Sequence, residues 1–64
     1  MYLDSKGFEI EIGDVVDVPK PNKTDLHRCA FEGTVTNFRG DLIVVNDQDD
    51  NYFDIEPERV TLFD

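Results

Sequence analysis

Phe31-Glu32-Gly33-Thr34-Val35-Thr36-Asn37-Phe38-Arg39-Gly40-Asp41-Leu42-Ile43-Val44-Val45-Asn46-Asp47 is the stretch that decides the fold. It reads as two extended runs joined by a tight reversal. Val35, with Thr34 and Thr36 on either side, suits a pleated, half-buried surface, because β-branched side chains are stiff and pack well across a sheet. Leu42 to Val45 form a short unbroken apolar run, and before it stands Gly40, which takes the positive φ of a tight turn without steric cost. The expectation is a β-hairpin turning at Arg39-Gly40. Val35 then lies across from Val44 or Val45, and Phe31 lies near Gln48 or Asp49 at the far end.

On the C-terminal side, Asn46-Asp47-Gln48-Asp49-Asp50-Asn51 is the densest turn signal in the chain. Its Asn and Asp side chains hydrogen-bond their own backbone and tolerate left-handed conformations. Tyr52-Phe53-Asp54-Ile55 then alternates, which puts Phe53 and Ile55 inward and Tyr52 and Asp54 outward. Glu56-Pro57-Glu58-Arg59 suits one 3₁₀ turn, with Pro57 at the first helical position where a missing N–H costs nothing. Val60-Thr61-Leu62 closes the chain as a strand.

On the N-terminal side, Tyr2-Leu3 reads as a short strand and Asp4-Ser5-Lys6-Gly7 as a turn. Phe8-Glu9-Ile10-Glu11-Ile12 alternates strictly, so Phe8, Ile10 and Ile12 are expected on the buried face of a second strand. Gly13-Asp14 interrupts it, and Val15 to Val18 resume with Val16 and Val18 inward. Pro19 and Pro21 lack the N–H that a ladder needs, so a long exposed loop begins there and runs to Arg28. Within it, Thr24 or Asp25 can cap a single helical turn through His27 or Arg28. No repeats, linkers or low-complexity tracts interrupt the chain, and residues 1–64 are read as one domain.

Sixty-four residues, 39% of them hydrophobic and 33% charged, are enough for a small core but rarely for a deep pocket. An enzyme is therefore not expected, nor a cofactor. The single cysteine, Cys29, excludes an internal disulfide and is expected to be a small buried hydrophobe. No apolar run approaches the roughly 18 residues of a membrane span, and Asp4 falls where a signal peptide would gain its apolar stretch, so the chain is read as cytoplasmic and soluble.

The net charge of −9 is unevenly spread. Residues 1–18 carry −4 (five acids and Lys6), residues 19–28 carry +2 (Lys20, Lys23 and Arg28 against Asp25), residues 29–40 are neutral, and residues 41–64 carry −7 (eight acids and Arg59). Self-repulsion on this scale favours a monomer and disfavours nucleic acid and anionic lipid.

Gly13-Asp14-x-Val16-x-Val18, Phe31-x-Gly33-Thr34-Val35, Val44-Val45-x-Asp47, Tyr52-x-Asp54-Ile55 and Pro57-Glu58-Arg59-Val60, in this order and spacing, resemble the SH3-like small barrels of the Tudor, Agenet and KOW type. The resemblance implies an all-β, SH3-like (Tudor-like) barrel of about five antiparallel strands with a short 3₁₀ turn before the last strand. It also implies a binding module. The places where Tudor-like domains build an aromatic cage for methylated lysine or arginine hold Leu26, Phe31, Asp47 and Tyr52 here, of which two are aromatic. KOW-type barrels bind RNA or ribosomal and transcription proteins through basic loops, a role open to Lys20, Lys23 and Arg28.

The hairpin geometry brings the 19–28 loop, Phe31, the 47–51 turn and Tyr52 to one end, with Phe38 at the other. The expected site is this end, binding a protein or peptide, with Tyr52 as an aromatic anchor and Asp47, Asp49 and Asp50 engaging a cation. The same residues also have a plain structural role, Tyr52 covering the rim and the aspartates forming the turn. A nucleic-acid or ribosome partner at the basic loop is the alternative. Asp47-x-Asp49-x-Asn51 with Glu58 follows the spacing of a calcium loop, but Tyr52 stands where the sharp turn needs glycine, so no metal site is expected. His27-x-Cys29 lacks a second ligand pair for zinc. Arg39-Gly40-Asp41 spells an integrin-binding tripeptide, in a place where a turn wants glycine anyway.

Overall fold

Arg39 pairs with Leu42, so Gly40 and Asp41 are the two loop residues of the central reversal. This is seen in the computed structural model of the chain, which describes residues 1–21 and 29–63. Gly40 has a φ of 60°, the left-handed first position that a two-residue type II′ turn requires. Among the described residues there are five strands, β1 (Val15–Val18), β2 (Phe31–Arg39), β3 (Leu42–Asn46), β4 (Tyr52–Ile55) and β5 (Thr61–Leu62), with a 3₁₀ turn at Pro57–Arg59. They form one antiparallel sheet in the order β4-β3-β2-β1-β5. Among the described residues no helix is long and apolar enough to cross a membrane.

Register decides which side chains meet. Val35 faces Val45, Ile43 faces Ile55, Val45 faces Phe53 and Val16 faces Gly33. Between Val35 and Asn37 the β2–β3 register shifts, so Thr36 is an extra residue, and its hydroxyl donates to the Val44 carbonyl at 3.3 Å. Such a bulge re-phases the alternation. Phe38, three positions after Val35, consequently returns to the inner face opposite Ile43.

The inner face is aliphatic at its centre and aromatic at its ends. Ile10, Val16, Val18, Val35, Ile43, Val45, Ile55 and Val60 form the buried cluster. Tyr2 and Phe38 stack at one end, 4.2 Å between ring centroids and 3° between planes, and the Tyr2 hydroxyl donates to the Gly40 carbonyl. Phe31 and Phe53 meet at the other end, 5.5 Å apart and tilted by 54°. Gly33 lets that second pair close, since a Cβ there would stand 2.9 Å from the Phe31 ring and 2.7 Å from the Asn46 carbonyl oxygen, as well as against the Val45 side chain.

The N-terminal segment departs from the expected pair of strands. Tyr2-Leu3 and Phe8 to Ile12 contribute only an isolated bridge between Leu3 and Glu9. Ile10 is buried, whereas Phe8 and Ile12 are 61% and 59% exposed. The reason is that the chain turns twice within 14 residues. Gly7 N–H donates to the Asp4 carbonyl and Asp14 N–H to the Glu11 carbonyl, after which Gly13 N–H and Asp14 carbonyl dock on Val35. Among the described residues only the short 2–4 segment runs alongside residues 8–10, and no strand of the sheet does, so one of the three apolar positions of 8–12 enters the core. Cys29 is exposed rather than buried, because it stands before β2 begins and outside the ladder. The helical turn expected within residues 24–28 lies outside the described residues.

Candidate functional site

The turn between β3 and β4 is built by one carboxylate. Asp47 Oδ1 accepts from the backbone N–H groups of Asp49 (2.8 Å) and Asn51 (3.0 Å), and its Oδ2 accepts from the Asn51 side-chain amide (3.2 Å). Asp47 N–H closes the loop onto the Asn51 carbonyl at 3.0 Å. The Asn51 N–H is the chief reason the Asp47 carboxyl lies below its ordinary pKa, helped by the Asn51 amide and the Asp49 N–H. Asp47 thus holds the turn together, with its side chain half-buried.

Asp49, Asp50 and Tyr52 differ. Both aspartates are exposed, and Asp50 takes a left-handed φ of 62° that Asp and Asn tolerate better than most residues. Their carboxylates have no hydrogen-bond or ion-pair partner among the described residues. Tyr52 is 62% exposed and pairs with Asn46, which pairs with Thr34, which pairs with Val15. Paired residues share a face, so Tyr52, Asn46, Thr34 and Val15 form one row across the outer side of the sheet. Next to Tyr52 in this row, the Asn46 Oδ1 is buried with no partner among the described residues.

Phe31 lies at the same end of the sheet but on the other face. It pairs with Val18, packs on the core and on Phe53, and borders a shallow depression of about 330 Å³ shared with Asp17, Pro19, Ala30 and Arg59. Phe31 and Tyr52 thus share an end without sharing a surface, and they do not face each other as walls of one cage. Lys20, next in sequence to Pro19, is exposed. Leu26, Lys23 and Arg28 lie outside the described residues.

Sequence reasoning missed two features of the N-terminal half. Asp4 is buried and holds three backbone donors: Lys6 and Phe8 N–H on Oδ1 at 2.9 and 2.8 Å, and Leu62 N–H on Oδ2 at 2.9 Å. Phe8, Val15 and Phe63 are large and exposed, and with Leu62, Glu9 and Asp14 they line a groove of about 310 Å³. The local Asp4-Ser5-Lys6-Gly7 signal indicated a turn, while nothing local marked Leu62 as its partner. No cluster of three or more metal-ligating side chains occurs among the described residues. Comparison of the chain with protein-family models, with curated proteins and with solved structures finds no match in any of the three.

Proposed function

We propose that this chain is an SH3-like small barrel that works without chemistry, as an interaction module for a cationic protein or peptide segment. The barrel reading draws support from the strand order, from pairing between the first and last strands at Val16 and Leu62, and from the 3₁₀ turn just before β5. The binding surface is the sheet end that carries the 47–51 turn, where β1 ends at Val18 and β2 begins at Phe31. Within it Tyr52 on the outer face and the exposed turn residues Asp49 and Asp50 carry the contact, and Asp47 holds that turn.

The observation that carries this reading is the 62% exposed Tyr52 close in sequence to Asp49 and Asp50, whose carboxylates have no partner among the described residues, in a segment of charge −7. An aromatic face attracts a lysine or arginine head group, by about 0.5–1 kcal/mol at an exposed site. Neighbouring carboxylates add a long-range pull that salt screens. Separation of Phe31 from Tyr52 across the sheet favours recognition of charge with one aromatic contact over an enclosed methyl-lysine cage.

The test is a ¹⁵N-NMR titration with a Lys-Gly-Lys-Gly-Lys peptide at low and high salt, beside a single-stranded oligonucleotide. The expected result is saturable shifts at residues 49–52 with the peptide, weakened about two- to fivefold by Tyr52→Ala and similarly by Asp49→Asn with Asp50→Asn. Asparagine keeps the left-handed tolerance at position 50, so the second variant changes charge without straining the turn. Affinity unchanged in both variants removes the assignment. Binding of the oligonucleotide instead, with a steep salt slope, replaces it with the nucleic-acid reading at Lys20 and the basic loop.

A further inference from the structure

Two phenylalanine side chains are exposed on backbone that is hydrogen-bonded into the fold. Phe8 is 61% exposed, yet its N–H is held by Asp4 Oδ1 at 2.8 Å and its carbonyl by Asp4 N–H at 2.8 Å. Phe63 is 49% exposed, and its N–H donates to the Val15 carbonyl at 2.9 Å, one residue beyond the β5 strand. Between them lies the groove of about 310 Å³ whose apolar lining is completed by Val15 and Leu62 and whose polar lining is Glu9 and Asp14. Apolar groups gathered on a small charged domain, rather than scattered, mark a contact surface. Holding their backbone beforehand lowers the ordering cost of binding.

Size and charge together select the occupant. The volume is at the low end for ligand sites, enough for one or two side chains. A second copy of the chain is disfavoured, because a two-fold contact through this groove would bring two Glu9–Asp14 rims into one interface between molecules that each carry −9. A partner bearing Lys or Arg beside its apolar residue turns the same two acids into a complementary rim. We propose that the groove between Phe8 and Phe63 docks a protein segment carrying one apolar side chain flanked by basic residues. This surface shares no residue with the Tyr52 site and does not depend on that reading.

The experiment is a ¹⁵N-NMR titration of the full chain with three capped peptides whose centres are Arg-Leu-Arg, Arg-Gly-Arg and Glu-Leu-Glu. The proposal expects saturable shifts of the Glu9, Val15 and Phe63 amides with Arg-Leu-Arg alone. Phe8→Ser and Phe63→Ser, both at exposed positions that leave the core intact, should each weaken that binding about fivefold or more, the size of an interface anchor. Glu9→Gln should weaken it less, and Tyr52→Ala should leave it unchanged. Equal shifts of these three amides with Arg-Gly-Arg, no saturable shift at them with Arg-Leu-Arg, or an affinity read at them that is unchanged in both phenylalanine variants overturns the proposal. So does a sedimentation result showing a dimer that protects the groove. Loss of binding in Tyr52→Ala with no effect of the phenylalanine variants would support the first site and sink this one.

Discussion

The Asp4 carboxylate accepts the Leu62 backbone N–H at 2.9 Å, joining residues 58 positions apart. Its other oxygen holds Lys6 and Phe8 N–H, and Ser5 N–H reaches the Val60 carbonyl at 2.7 Å. One buried side chain thus organises the first turn of the chain and satisfies a donor on the outer strand β5.

Acid unfolding should report this contact. The Leu62 N–H is the main cause of a depressed Asp4 pKa in the fold, with the Phe8 and Lys6 N–H groups adding to it. A folded pKa below the unfolded value, about 3.9 for Asp, means the unfolded chain takes up the proton more readily. The stabilisation is therefore full above that unfolded value and is lost as pH falls through the folded one. Asp47 acts in the same sense. Denaturant melts between pH 2 and 6 should show a shallower acid loss in Asp4→Asn than in the native chain, and a lower stability at neutral pH. Parallel pH profiles would contradict the role given to Asp4.

Gly33→Ala should destabilise the fold although the glycine sits in an ordinary strand. The added methyl meets the Val45 side chain, the Asn46 carbonyl oxygen and the Phe31 ring, and a backbone carbonyl cannot rotate away. Overpacking of this kind costs about 1–3 kcal/mol. Because the carbonyl contact persists, the cost of Gly33→Ala in thermal melts should be reduced but not abolished when it is measured against a Phe31→Ala background rather than the native chain.

The stacked Tyr2 and Phe38 rings should be coupled. A double-mutant cycle with Tyr2→Ala and Phe38→Ala is expected to give about 0.5–1.5 kcal/mol of interaction energy. Tyr2→Phe keeps the stack and removes only the hydroxyl bond to Gly40, a loss of about 0.5–1.5 kcal/mol. A coupling energy of zero would show that the N-terminal segment packs independently of the hairpin.

Core and surface substitutions should separate clearly. Ile43 is fully buried, so Ile43→Val should cost about 0.5–1.5 kcal/mol and Ile43→Ala about 2–5 kcal/mol. For a chain this short the alanine variant removes much of the total, since stability runs at roughly 0.05–0.15 kcal/mol per residue. Arg39 and Asp54 form an ion pair at 3.1 Å with Arg39 71% exposed, and Arg39→Ala should cost less than about 1 kcal/mol. Urea denaturation of the variants measures both.

Local chemistry by itself determined the hairpin, the Asp-rich turn, the single 3₁₀ turn at Pro57 and the parity of β1 and β4. Each of these follows from the φ preference of glycine, the missing proline N–H, the self-bonding of Asp and Asn, or a period of two that has a partner strand to register against. Tertiary structure alone decided the rest. Phe8 and Ile12 obey the alternation and still face solvent, because a pleat buries one face only where a neighbouring strand extends it. Phe38 faces the core because Thr36 bulges out of β2, and Phe31 and Tyr52 occupy opposite faces because two successive strand pairings relate them. Asp4 is buried because the donor that completes its shell lies on the last strand, and a contact 58 residues away leaves no trace in the neighbouring sequence.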